Sequence, residues 1–495
     1  MNLSQKVAFN TVLLVGGRLA IALSGLVGTI VATRYLGVDR FGQLQTAVTF
    51  SALFGVLTDA GVWTIAAREI ARRPEDEQRI LSTASLIGVG LGLFTAVATV
   101  GAAFAVYGAE GRSLVRLAIV ILAAPALLTG PLGAGSAYLT ARQMAIPGAV
   151  GGLLAAFGFL IALTVVVAAD LGFTGIAVAY AVSALCNAAI LILAARRRVS
   201  LRPRLDRPLA RQLLRWALPQ AFVVAITTIY VRVDIVLLSK LGTDRDVALY
   251  GVSYRVLEFL LLVPVLMSTT VFPEMARAAA GSERLRVLVQ GLFAAVVVVA
   301  VPMLCVFIGF APEVVRVAGG PRFDGAAGVL RLLVIAVAFS FAAGVLFTAL
   351  VAIDQQGPLA RRMLIVLGVN VALNVVLIGP FAARGAALAL ILSEIASLTL
   401  AWRLFERTGQ SVRLRLPFRL AAAGLVCAAV VAGIRTLVAE PAGQPVLVLL
   451  GGSLAAVVVF AAAAVALRAL PVEVTSAIAQ LRGRPTASPA EEATP

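Results

Sequence analysis

The sequence predicts an all-α polytopic membrane protein of about 14 transmembrane helices, arranged as two parallel six-helix bundles followed by two C-terminal helices. Three observations predict it. Apolar residues make up 61% of the chain and charged residues 13%, whereas soluble proteins average roughly half apolar and a quarter charged. Apolar runs of about 20 residues, each enough to cross ~30 Å of hydrocarbon, follow one another almost without pause. The chain also repeats itself. Leu36-Gly37-Val38-Asp39-Arg40 returns as Leu241-Gly242-Thr243-Asp244-Arg245, and Glu69-Ile70-Ala71-Arg72 as Glu274-Met275-Ala276-Arg277, each 205 positions later. Gly175-Ile176-Ala177-Val178-Ala179 with Ser183 returns as Gly385-Ala386-Ala387-Leu388-Ala389 with Ser393, displaced by 210.

In chain order the predicted spans centre on 10–34, 42–67, 81–107, 115–139, 146–168, 174–195, 216–239, 247–275, 288–310, 330–353, 361–381, 385–402, 418–437 and 445–469. Helices are expected rather than barrel strands because the runs are continuous and rich in Ala, Leu, Val and Gly, without the alternation a barrel needs. The first run carries Arg18 in its interior and belongs to the repeat, so it is read as a retained helix and not a cleaved signal. Six spans separate equivalent segments, which therefore enter the membrane from the same side. The expected divisions are a bundle over 1–195, a basic linker over 196–215, a second bundle over 216–403, the added helices over 404–470, and a disordered tail over 471–495.

Basic residues orient the chain, since Lys and Arg are retained in the cytoplasm. With the N-terminus inside, 27 of the 41 fall on the cytoplasmic face, eight of them between 196 and 215, and 11 on the other. This predicts a multi-pass protein of a prokaryotic cytoplasmic membrane with both termini cytoplasmic. Topogenic Arg and anionic membrane lipids account for the net charge of +17, so no nucleic-acid partner is invoked. Cys186, Cys305 and Cys427 lack any C-x-x-C spacing, and the chain has no His, so neither a disulfide framework nor a His-based metal site or proton relay is expected. The longest connections run to about 20 residues and carry no phosphate-binding glycine loop, which leaves no room for an ATPase domain. Energy then comes from a Na+ or H+ gradient, the membrane potential or the gradient of the substrate; no cofactor is expected.

The three remaining basic residues, Arg18, Arg232 and Arg255, lie within spans. An ionisable group deep in hydrocarbon costs at least ~2.5–3.5 kcal/mol on insertion scales, so each is a functional candidate. Arg18 is surrounded by Gly16, Gly17, Gly25 and Gly28, which points to a watery cavity; the alternatives are snorkelling or a structural ion pair. Arg232 and Asp234 are two residues apart and face different ways, so they are not each other's partner. Arg255 and Glu258 are three apart and can pair on one face, with the polar aromatic Tyr254 beside them. Tyr230 lies one turn before Asp234. The acidic candidates for binding a coupling cation are Asp59, Asp234, Glu258 and Glu394, with Asp354 at an interfacial edge. Asn370 and Asn374 share a helix face and can either hold helices together or touch substrate. Three guanidinium groups near the repeat axis make a cationic cavity, and the planar fork of Arg suits phosphate.

Several of these residues carry a family resemblance. Arg34-Tyr35-Leu36-Gly37, Phe41-Gly42, Asp59-Ala60-Gly61 and Arg68-Glu69-Ile70-Ala71 resemble the opening of bacterial polysaccharide (O-antigen or Wzx-type) flippases. Tyr230-x-Arg232-x-Asp234, Tyr250-Gly251-x-x-Tyr254-Arg255, Phe272-Pro273 and Val369-Asn370-x-x-x-Asn374 with Gly385-Ala386-Ala387 resemble the second half of the same family. The resemblance covers the first 12 spans and rests on the order and spacing of the motifs. It implies a member of the multidrug/oligosaccharidyl-lipid/polysaccharide exporter superfamily, with two bundles in a V that open alternately to either side. The implied substrate is a polyprenyl-diphosphate-linked oligosaccharide, moved outward for a polysaccharide polymerase in O-antigen or exopolysaccharide synthesis. Its diphosphate would engage Arg18 and Arg255, assisted by Arg232.

Other readings share the fold. A lipid-linked peptidoglycan precursor flippase would also use an Arg-rich cavity and 14 helices, whereas a multidrug cation antiporter would want an acidic, aromatic one. A membrane glycosyltransferase would need catalytic carboxylates in large outer loops, and the largest such loop, 311–329, offers Glu313 and Asp324. A non-transporting scaffold would be indifferent to neutralising the buried Arg residues.

Overall fold

The computed structural model describes residues 3–108, 112–200, 202–278, 280–410, 418–437 and 445–469, with the side chains of 3–15, 18, 19 and 145 outside that description. The tail expected over 471–495 also lies outside it.

Every regular element among the described residues is helical: α1 Leu3–Asp59, α2 Val62–Arg72, α3 Glu77–Val106, α4 Ser113–Ala123, α5 Thr129–Ala141, α6 Ala145–Ala168, α7 Gly172–Arg196, α8 Arg207–Leu241, α9 Asp244–Leu260, α10 Leu262–Arg277, α11 Glu283–Gly309, α12 Ala311–Gly319, α13 Ala326–Ala352, α14 Gln356–Glu406, α15 Phe418–Leu437 and α16 Pro445–Ala466. Twelve continuous stretches among them are long and apolar enough to cross a membrane. Two, Ala20–Arg72 and Gln356–Glu406, are 53 and 51 residues long. At 1.5 Å per residue each would reach about 75–80 Å, more than twice the hydrocarbon thickness. Both are broken inside, at Gly37 (φ 74°, ψ −177°) in α1 and at Ala382 (φ 50°, ψ −129°) in α14, so each supplies two crossings. The 14 spans read from the sequence thus correspond to 12 stretches, two of them broken by such a kink.

The sequence repeat has a geometric counterpart in these breaks. Gly172 opens α7 at φ 63°, and Ala382, 210 positions on, breaks α14 at φ 50°. The repeated glycine three residues after each break has a steric reason: a Cβ on Gly385 would lie 2.0 Å from the Leu377 carbonyl oxygen, and one on Gly175 would lie 2.6 Å from the Leu171 Cβ. Small residues there let the chain fold back on itself. Within other predicted spans the helix is interrupted, at Ala60-Gly61, at the 3₁₀ turn Ala124–Leu128 containing Pro125, and at Leu261. The stretch 311–329, expected as a loop, instead forms α12 and a 3₁₀ turn over Pro321–Phe323.

The chain divides into two compact units, one comprising Met1–Arg255, Ala318–Phe323 and Asn370–Ala386, the other Val256–Val317, Asp324–Val369 and Ala387–Pro495. In the first unit, Val62, Ile65 and Ile70 of α2 pack with Leu81 of α3, Tyr138 of α5, Ile192 of α7 and Leu213 of α8. In the second, Phe310 beyond α11 packs with Leu420, Cys427 and Val431 of α15 and Phe460 of α16, so the added C-terminal helices close over α11. The Sγ of Cys305 faces the Gly424 carbonyl and that of Cys427 the Ala456 carbonyl, each at 3.5 Å. Arg331 and Arg435 donate to the carbonyls of Ile308 and Gly309 at 3.1 and 2.5 Å, capping the C-terminal end of α11.

The outward face inverts the polarity of a soluble protein. Ile161, Leu425 and Leu454 are 65–72% exposed, while Asp234, Asn370, Asn374 and Ser393 are buried to 1% or less. Lipid-facing helices require this pattern, because acyl chains solvate apolar side chains and leave polar ones to find partners inside.

Candidate functional site

Four helices of the first unit converge on one polar centre. On α8, Tyr230 and Asp234 are one turn apart and both buried. On α9, Tyr250 and Tyr254 are likewise one turn apart, with stacked rings whose centroids lie 5.7 Å apart. Asn370 and Asn374 repeat the spacing on α14, and α1 contributes Gly25 and Thr29. The spacing of four places each pair on a single stripe of its helix.

Asp234 is the hub. Its Oδ2 accepts from the Tyr250 hydroxyl at 3.0 Å and its Oδ1 from Asn374 Nδ2 at 2.8 Å. The same Nδ2 reaches the Asn370 backbone carbonyl at 3.0 Å and the Asn370 Oδ1 at 3.3 Å. Asn374 Oδ1 is buried without a hydrogen-bond partner. The Tyr250 hydroxyl and the Asn374 amide that donate to the buried carboxylate are both neutral groups. Burying an anion is costly unless its oxygens are well supplied with hydrogen bonds or charge. Oxygens of a carboxylate and two amides clustered in this way are the ligands a hard cation or a proton would find.

Arg255, one residue beyond Tyr254, points elsewhere. Its Nε donates to Thr29 Oγ1 at 3.2 Å, and its guanidinium carbon would lie 3.7 Å from a Cβ placed on Gly25. A glycine at 25 therefore leaves the guanidinium lying against bare helix backbone. Position 18 lies seven residues before Gly25 on the same helix, hence on nearly the same face two turns away; the side chain of Arg18 is outside the described residues. The Tyr254 hydroxyl donates to the Val231 carbonyl at 3.0 Å, fixing α9 against α8 beside Arg232, which is half-buried.

Three further acidic candidates were expected from the sequence, Asp59, Glu258 and Glu394. Asp59 is half-buried at the break between α1 and α2, with Oδ1 buried and unpartnered. Glu258 and Glu394, half-buried and buried respectively, belong to the second unit. Tyr250, which the sequence offers only as part of the Tyr250-Gly251-x-x-Tyr254-Arg255 motif, joins the centre as a donor to Asp234.

Residues 7–279 match the family model described as "Polysaccharide biosynthesis protein". The chain belongs to the polysaccharide flippase family of the multidrug/oligosaccharidyl-lipid/polysaccharide exporter superfamily. Residues 199–450 of this flippase also match the model described as "Lipid II flippase MurJ". Among solved structures it is similar to a lipid II flippase MurJ in an inward closed conformation, with TM-score 0.74 and 13% identity over 92% of this chain and 98% of that one. It is also similar to an inward-facing multidrug resistance MATE family transporter, at TM-score 0.65 and 15% identity over 79% and 96% of the two chains. A transporter of the same superfamily from Pyrococcus furiosus, described as having a binding pocket of reverse polarity, matches at TM-score 0.56 and 15% identity over 81% and 96% of the two chains. No curated protein matches in sequence. At these identities the structural likeness establishes the fold alone, one shared by MurJ and MATE family transporters.

Proposed function

We propose that this flippase moves a polyprenyl-diphosphate-linked oligosaccharide from the inner to the outer leaflet of a prokaryotic cytoplasmic membrane by alternating access. The observation that carries the reading is Arg255, whose guanidinium from the second half of the sequence lies on the glycine-bared face of α1, the helix that also bears position 18. Paired guanidinium groups suit a diphosphate because each offers parallel, charge-assisted hydrogen bonds to its oxygens. Arg18 and Arg255 take the diphosphate, Arg232 assists, and Tyr230 and Tyr254 offer polar aromatic surfaces to the glycan. The polyprenyl tail stays among membrane lipids, and the delivered unit feeds a polysaccharide polymerase. Both termini and the linker 196–215 lie in the cytoplasm.

Asp234, with Asn370 and Asn374, is the coupling site in this reading: a buried carboxylate among amide and hydroxyl groups exchanges a proton or Na+ as the transporter cycles. Asp59, Glu258 and Glu394 remain the other candidates for coupling.

A lipid-linked peptidoglycan precursor is the second reading, favoured by the match of residues 199–450 to the lipid II flippase model. Both cargoes carry a lipid diphosphate, so the Arg residues serve either. Complementation separates them: in a strain lacking its lipid-linked glycan exporter the chain should restore surface glycan, and in one depleted of its lipid II flippase it should not restore growth. The reverse result would transfer the assignment to the peptidoglycan precursor.

A further inference from the structure

The linker between α7 and α8 is not a free tether. Gln78 of α3 donates to the Ser200 carbonyl at 2.6 Å and accepts from the Ser200 amide at 3.1 Å. The Arg204 amide donates to the Ser82 carbonyl at 3.2 Å, and Arg79 reaches Asp206 at 2.6 Å. These bonds strap the linker along α3 and enclose a cleft of about 920 Å³, within the range typical of small-molecule sites, roughly 300–1,000 Å³.

The lining of that cleft is divided by chemistry. Its lining carries Arg196, Arg197, Arg198 and Arg202, and none of the described residues that line it is a carboxylate. Among the described residues none of the four is bridged to an acid; the nearest acidic member of the linker, Asp206, is already engaged by Arg79. The inner wall is Val89, Leu127 and Pro131, of which Val89 and Leu127 are 38% and 52% exposed on apolar helices. Four cations and a set of apolar side chains from membrane-crossing helices therefore line one cleft.

We propose that this cleft binds an anionic phospholipid of the surrounding bilayer, the phosphate held by Arg196, Arg197, Arg198 and Arg202 and an acyl chain lying along Val89 and Leu127. Basic pockets between transmembrane helices are suited to lipid headgroups, each Arg near the surface adding about 1 kcal/mol. The assignment is to a bilayer lipid and not to the glycan cargo because no aromatic residue lines the cleft to stack on a sugar. It is also independent of Arg18 and Arg255. A bound lipid would tether the linker at its α7 end, where the strap has no side-chain bond to α3 before Ser200.

Native mass spectrometry of the full chain, released from nanodiscs of phosphatidylcholine mixed with phosphatidylglycerol, tests this. Wild type should retain phosphatidylglycerol in preference to phosphatidylcholine, and each Arg→Gln change at 196, 197 or 198 should weaken retention about fivefold. Arg277→Gln with Arg284→Gln, which removes exposed basic charge outside the cleft, should leave retention unchanged. Equal retention by the Arg196→Gln, Arg197→Gln, Arg198→Gln variant and wild type would overturn the proposal. So would an equal loss in the 277/284 control, which would reduce the effect to net charge. Adding polyprenyl diphosphate provides the last arm: displacement of phosphatidylglycerol by it at equimolar amounts would overturn the assignment to a bilayer lipid, and failure to displace supports it.

Discussion

Asn374 Nδ2 donates to Asp234 Oδ1 at 2.8 Å, joining α14 to α8 across 140 positions of sequence. With the Tyr250 hydroxyl on the other carboxylate oxygen, this bond supplies donors to a carboxylate buried in an apolar bundle.

Removing the carboxylate exposes what it holds. Asp234→Leu leaves the Tyr250 hydroxyl and the Asn374 amide without their shared acceptor and should destabilise the protein by about 1–3 kcal/mol for each orphaned group. Asp234→Asn keeps shape and polarity, and should cost much less stability while abolishing ion-coupled transport. Thermal unfolding in detergent and flipping in proteoliposomes with an imposed Na+ or H+ gradient separate the two effects; gradient-driven flipping by Asp234→Asn at wild-type rate would remove this residue from coupling.

Arg255 should be sensitive both to its own identity and to that of Gly25. Loss of a charge-assisted contact costs about 1.5–3 kcal/mol, so Arg255→Ala should lower diphosphate-dependent flipping by roughly 10–100-fold with the protein still inserted. At position 25 a Cβ would meet the guanidinium at 3.7–3.9 Å, ordinary contact, so Gly25→Ala should be tolerated. Gly25→Leu should displace the guanidinium and reproduce the Arg255→Ala defect without altering any charge. Surface-glycan immunoblots together with membrane expression levels check the series.

Gly42 is a closer approach. A Cβ there would lie 1.9 Å from the Asp244 carbonyl oxygen at the start of α9. The Asp244 side chain also accepts from Gln43 Nε2 at 2.9 Å and pairs with Arg112. Gly42→Ala must push α1 and α9 apart, since backbone cannot yield as a side-chain tip can. The expected outcome is faster modification by a membrane-impermeant thiol reagent of a cysteine placed at Ser239, which is buried beside Tyr107.

Asp206 gives a pH dependence. The Arg79 guanidinium and the Leu209 amide hold its carboxyl below the usual carboxylate range. A depressed value means the strap contributes fully above the ordinary carboxylate pKa and is lost as pH falls through the lowered one. At neutral pH, Asp206→Asn should mimic that loss. Hydrogen exchange at the Ser200 and Arg204 amides, corrected for intrinsic rates, should accelerate in the variant and in wild type in strong acid, and remain slow in wild type from pH 5 upward.

Orientation is checked by single cysteines in a cysteine-free background. Ser200→Cys and Thr243→Cys are both exposed positions. The first should react only from the cytoplasm and the second only from outside; equal reactivity from one side would invert or dissolve the assigned topology.

Local composition and periodicity determined the membrane class, the approximate number of crossings, the internal repeat and the stripes that carry Tyr230 with Asp234 and Asn370 with Asn374. These follow from hydrophobicity and from 3.6 residues per turn, which act over a few residues and need no fold to be read. The repeat even marked Gly175 and Gly385 before their steric role at the chain reversals was visible. Tertiary structure alone decided that Asp234 receives Tyr250 and Asn374, that Arg255 lies on α1 226 positions before it, and that the basic linker is strapped to α3. It also placed a break at Ala382, where the second repeat has no glycine to announce it. Helix periodicity fixes which residues share a face; which faces meet depends on packing between segments far apart in the chain, and that information is not local.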